Sequence, residues 1–75
     1  MKELIEYIAK SIVDHPEEVE VVQEGTGDLV MLKLKVAQED MGRVIGRQGR
    51  IVNSLRVLVR VMAVRQGIRA SLEIV

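Results

Sequence analysis

The sequence predicts an α+β fold in which three helices cover one face of a three-stranded mixed sheet, in the order α-β-β-α-α-β. Three observations carry this. Apolar residues recur at helical spacing in residues 2–15 and again in residues 50–66. Between them, period-two alternation runs on both sides of a turn signal, Gly25-Thr26-Gly27-Asp28. A last short apolar stretch follows a helical crossover, so it can join the sheet parallel to its neighbour.

Each element has its own local cause. In residues 2–15, Leu4, Ile5, Ile8 and Ile12 share one helical stripe with Val13 at its margin, and Pro16 forbids continuation beyond His15. Residues 18–24 begin in alternation, with Val19 and Val21 on one face. Residues 29–36 set Val30, Leu32, Leu34 and Val36 against Leu29, Met31, Lys33 and Lys35, a strand with one face in the core. Residues 38–45 suit a short helix whose positive end is matched by Glu39 and Asp40. Gly46 to Gly49 break it. Residues 50–66 are rich in valine, which disfavours helix, but their length and the spacing of Ile51, Leu55, Leu58 and Met62 decide for one, stopped near Gly67. Residues 70–75 close the sheet.

Seventy-five residues suffice for one domain spanning 1–75. Such a chain buries roughly 60% of its unfolded surface, so its stability is marginal without help. The absence of Cys excludes disulfides and thiolate metal sites and fits a reducing, cytoplasmic setting. Glu3 and Glu6 interrupt what would be a signal peptide's apolar core. No apolar run approaches the roughly 18 residues of a membrane span, and no membrane partner is expected.

The net charge of zero conceals a division. Residues 1–40 carry four Lys against ten acids, and residues 41–75 carry seven Arg against one Glu. No acid lies between Met41 and Leu72. A charge run is commonly a solvated face, but one this long, built only from the cation that forks onto phosphate, points to an anionic partner.

Within that run lies Gly46-Arg47-Gln48-Gly49. A bare Gly-x-x-Gly pair is common and can be a plain corner between helices. Here the second helix begins at about Arg50, with its unpaired N–H groups facing the corner. Glycines let a sugar-phosphate backbone approach closely, while Arg47, Arg50 and the helix end supply positive charge. A Walker loop is excluded, because Arg50-Ile51 follows the last glycine. The dinucleotide fingerprint is excluded too, because the glycines at 42, 46 and 49 have the wrong spacing. No catalytic set is present. The one histidine, His15, reads as a surface cap, and Asp14, Glu17 and Glu18 beside it as a solvated acidic corner. Tyr7 is the sole aromatic residue, so no ring-stacking sheet surface is available.

The stretch VIGRQGRIVNSLRVLVR, residues 44–60, resembles the Ile-Gly-x-x-Gly core of a K-homology (KH) domain, and the element order resembles the type II variant. Over nearly its whole length the chain is similar to the small stand-alone KH proteins of the KhpA (YlqC) family. The resemblance implies a clamp for single-stranded RNA made by Gly46, Arg47, Gln48 and Gly49, flanked by Arg43 and Arg50. Ile45, Ile51 and Leu55 then wall the groove or the core. It also implies a non-catalytic, chaperone-like protein without cofactor or metal. Such proteins act as homodimers or with a larger KH partner, KhpB (also called Jag or EloR), in expression control, cell shape and wall synthesis. The alternative is a KH-fold interaction module that has lost nucleic-acid binding.

The helix at 50–66 carries more apolar groups than one wall can bury. Val52, Val59 and Ala63 flank the expected core stripe on one side, and Val57, Val61 and Val64 on the other. Only Asn53, Arg56 and Arg60 form a polar strip. The excess reads either as a helix wedged between the sheet and the neighbouring helices, burying most of its circumference, or as an exposed patch and a dimer interface with Leu58 or Val61 near its centre.

Overall fold

The expected elements all form. The computed structural model describes residues 1–75 and runs α1 (Lys2–Ile12), β1 (Glu20–Glu24), β2 (Leu29–Lys35), α2 (Met41–Ile45), α3 (Arg50–Gln66) and β3 (Arg69–Ile74). Single 3-10 turns occupy Pro16–Glu18, Gln38–Asp40 and Arg47–Gly49. The sheet order is β1-β2-β3. β1 runs antiparallel to β2 with Val21 opposite Leu34, and β2 runs parallel to β3 with Leu32 opposite Leu72. These inward residues meet Ile5 and Ala9 of α1, Val44 of α2, and Leu55 and Val59 of α3 in one core. Full burial of each large aliphatic side chain contributes about 1.5–3 kcal/mol relative to exposure. The opposite sheet face remains largely exposed.

Three expectations need correction. In α3 the buried stripe is Val52, Leu55, Val59 and Ala63, whereas Ile51 and Leu58 are exposed. Apolar residues surround most of this helix, so spacing alone offers competing stripes. The sheet takes the one with the smaller side chains, which lets the helix axis approach closely. In α1 the buried positions are Ile5 and Ala9, and Leu4 is exposed. Ala9 again permits close approach. Third, the expected helix at 38–45 divides into the 3-10 turn and the five-residue α2.

Helix α1 also stops at Ile12, three residues before Pro16's neighbour His15. The cause is Asp40, the one buried charged residue, at 0% exposure. Its carboxylate accepts the N–H of Asp14 at 3.0 Å and the N–H of His15 at 2.9 Å. It therefore fastens the end of α1 to the start of α2, rather than merely complementing a helix dipole. Desolvation pushes the Asp40 carboxyl upward, but the two backbone N–H groups, with His15 and Arg43, hold its pKa below the ordinary value.

His15 holds the N-cap position of the Pro16–Glu18 turn, where its carbonyl accepts the Glu18 N–H at 3.0 Å, but its side chain makes no capping hydrogen bond. Its ring lies between Glu17, at 3.5 Å from Nδ1, and Glu39, at 3.4 Å from Nε2. Desolvation lowers its pKa, but Asp40, Glu17, Glu39 and Glu18 outweigh it and leave the pKa raised. A raised histidine stabilises the fold fully below about pH 6.5, and that contribution fades as pH rises through the folded value. A depressed Asp stabilises above about pH 3.9 and is lost as pH falls through its folded value. The thermal midpoint is therefore expected to be highest between about pH 4 and 6.5. In a circular-dichroism melting series, His15→Gln should remove much of the decline above that window. An unchanged decline would show that the ring's surroundings do not matter.

Candidate nucleic-acid interface

The corner at residues 46–49 turns by left-handed backbone. Gly46 has φ 77° and ψ 174°, Gln48 has φ 57° and ψ 27°, and Gly49 has φ 73° and ψ 16°. Gln48 is the only non-glycine residue with positive φ in the chain. A residue with a Cβ pays about 1–2 kcal/mol there, so the corner holds one strained residue between two permissive ones. The Gly46 N–H donates to the Gly42 carbonyl at 2.9 Å, and the Gly49 N–H to the Gly46 carbonyl at 3.2 Å. No side chain caps the 17-residue α3; the Arg50 N–H donates to the Arg47 carbonyl within the preceding turn, and the helix end keeps its positive dipole toward the corner.

The two glycines differ in what they tolerate. A Cβ on Gly46 would lie 2.7 Å from Cγ1 of Ile51, whereas one on Gly49 meets nothing closer than 3.6 Å. Gly46→Ala combines that overlap with a conformation nearly reserved for glycine, and Gly49→Ala meets only the ordinary left-handed cost. Thermal unfolding should show a loss of about 1 kcal/mol for Gly49→Ala and clearly more for Gly46→Ala. Equal losses would mean that Ile51 swings away freely.

The structure gathers most, but not all, of the residues singled out. Arg47, Gln48 and Arg50 are exposed at the corner, and neither arginine has an ion-pair partner. Ile45 and Ile51 are partly exposed beside it, Ile51 packed against Gly46, so they form an apolar shoulder rather than core. Leu55 belongs to the core. Arg43 points elsewhere: its Nε pairs with Asp14 Oδ2 at 3.2 Å, on the acidic side.

Reasoning from the sequence missed a second part of this surface. Asn53, Arg56 and Arg60 run up one flank of α3 along β3, which has a strand neighbour on one side only. There Arg56, Arg60, Ala70, Ser71 and Leu72 line a pocket of about 140 Å³. The Nε of Arg56 donates to the Leu72 carbonyl at 3.3 Å. The polar strip was legible; its position beside a free strand edge was not. Among titratable clusters, only His15, Glu17 and Glu18 bring possible metal-ligating atoms within 4.8 Å of one another, on an exposed corner where Glu17 already faces the ring. No helix is long and apolar enough to cross a membrane.

The family model described as "KhpA/KhpB, KH domain" matches residues 2–74. A protein of Clostridium acetobutylicum named "RNA-binding protein KhpA" is 48% identical over the full length of both chains. Listeria monocytogenes has a protein of the same name that is 47% identical over all of this chain and 99% of its own. In Chlamydia pneumoniae a protein of that name is 40% identical over 99% of this chain and 95% of its own. No solved structure matches the chain.

Proposed function

The chain belongs to the KhpA/KhpB KH-domain family, and from that premise we propose that it binds single-stranded RNA without catalysing a reaction. The observation that carries this reading is the corner at 46–49. Left-handed Gly46, Gln48 and Gly49 stand before the uncapped N-terminus of α3, with unpaired Arg47 and Arg50 on either side. Backbone without side chains admits a phosphate chain, and the helix end and guanidinium groups offset its charge. KH domains clamp about four nucleotides in this way. The names of the relatives support the same ligand.

The clamp is short, so each site is weak, and an assembly that presents two sites gains effective concentration. We place the self-contact on the outward face of α3, where Leu58 and Val61 lie exposed. A homodimer, or a heteromer with a KhpB-like protein, then acts as a cytoplasmic RNA chaperone in expression control and in cell-shape and wall homeostasis. Crosslinking in cells followed by sequencing of the bound RNA tests the reading. Recovery of RNA fragments at no more than the background level of an unrelated domain would overturn it. The same recovery experiment separates it from an interaction module, which would bring down protein alone.

A further inference from the structure

Strand β1 has a strand neighbour on one side only, so part of its backbone has no partner in the sheet. Which part follows from the register. The N–H of Arg69 donates to the Asp28 carbonyl and that of Val75 to the Leu34 carbonyl, so the even-numbered residues from Asp28 to Leu34 face β3. The odd-numbered residues of β2 then face β1, where Lys35, Lys33 and Met31 stand opposite Glu20, Val22 and Glu24. By alternation Val21 and Gln23 turn their N–H and C=O groups to the open edge. Only Val21 has a buried side chain, and the other four residues of the strand are exposed. The edge carries one sign of charge. Glu17, Glu18, Glu20 and Glu24 are exposed in or just before the strand, and no Lys or Arg lies between Lys10 and Lys33. Glu17 faces the His15 ring and Glu24 meets the Lys33 amine at 3.4 Å, while Glu18 and Glu20 have no ion-pair partner.

We propose that this edge takes an extended cationic segment of a partner protein as a fourth strand, antiparallel to β1. Backbone pairing at Val21 and Gln23 supplies hydrogen bonds, and alternate side chains supply the choice of sequence. On the outer sheet face Glu20 and Glu24 flank Val22, which is 38% exposed. The matching segment therefore sets Lys or Arg across from each glutamate and an apolar residue across from Val22. The same pattern disfavours the other occupants. A second copy pairing antiparallel about Val22 brings Glu20 against Glu24, like charge facing like. An acidic segment meets the same repulsion, and so does RNA, whose phosphates are drawn to the arginine-bearing half of the chain. Basic arms of proteins that bind nucleic acid have the required composition. The chain then joins RNA, held at the corner 46–49, to the arm of a second protein held along β1.

The test needs no RNA, so it stands or falls apart from the clamp. The probe is an end-capped peptide, Thr-Lys-Thr-Val-Thr-Lys-Thr, titrated to millimolar concentration into the isotope-labelled full chain and followed by NMR. The backbone amides of Val21 and Gln23 should shift, and those of the corner at 46–49 should not. Glutamate in place of both lysines should abolish the shifts. Gln23→Pro removes an edge-facing donor without touching the ladder to β2, a place where a strand tolerates proline. Affinity should fall about tenfold in that variant while the thermal midpoint holds. Methylating the amide nitrogens of the two threonines beside the peptide's valine should cost the same factor, and this arm stands whether or not the proline variant folds. Silent amides at Val21 and Gln23, or equal binding of the methylated peptide, overturn the strand pairing. Equal binding of the glutamate peptide overturns the choice of a cationic partner. Shifts of the same amides on simple dilution of the protein would assign the edge to a second copy and overturn the proposal too.

Discussion

Arg47→Asp combined with Gln48→Asp should lower RNA affinity by about a hundredfold or more while leaving the fold intact. A charge-assisted hydrogen bond contributes about 1.5–3 kcal/mol, and tenfold in affinity is about 1.4 kcal/mol. Loss of the Arg47 contact and two new negative charges beside phosphate together exceed two such steps. Stability should move by no more than about 0.5 kcal/mol, as for surface sites generally. Arg47 is exposed and unpaired. Gln48 sits at φ 57°, where Asp is better tolerated than most residues, so the substitution adds no strain. Filter binding with a parallel melting curve decides the outcome. Retained affinity with a native melt would refute the clamp. With about two to four phosphates engaged, log affinity against log salt should fall with a slope of about −1.5 to −3.

Why the elements were legible and the faces were not has a physical basis. Period-two alternation in residues 29–36 has one solution, since a slip of one residue would expose Leu32 and Leu34, both fully buried. The valine-rich α3 has several solutions, and the sheet selects among them by close approach, which no spacing records. Asp40 is the sharper case. In sequence it stands before a short helix and reads as a dipole partner, yet its hydrogen-bond partners lie 25 and 26 residues away. No local pattern announces a contact at that separation. Arg43 is a second such case, because Asp14, with which its Nε pairs at 3.2 Å, belongs to another element. At the corner the glycines were readable, but the left-handed turn at Gln48 was not, since glutamine has no preference for it.

The other large effect should come from the outward face of α3. The structure leaves Leu58 40%, Val61 50%, Val57 53% and Val64 73% exposed. Ser54, Val57, Val61 and Val64 alternate at steps of three and four, the spacing that keeps one seam of a helix facing a partner helix. Opposite the buried stripe of Val52, Leu55, Val59 and Ala63, Val61 lies nearest the middle of this ridge, with Leu58 toward its side. An aspartate there must enter an apolar contact without a partner, at a cost of several kcal/mol. Val61→Asp should therefore raise the dimer dissociation constant by a hundredfold or more, and Leu58→Asp by less. Every charge on α3 is an arginine, at 50, 56, 60 and 65, so in either orientation a pair of these helices brings like charges together at its rim. Screening relieves that repulsion, so self-association should strengthen with added salt while RNA binding weakens. Sedimentation velocity at two salt concentrations measures the first trend. Wild type sedimenting as one chain at micromolar concentration in both would overturn the dimer, and an unaltered dimer in Val61→Asp would place it on another face.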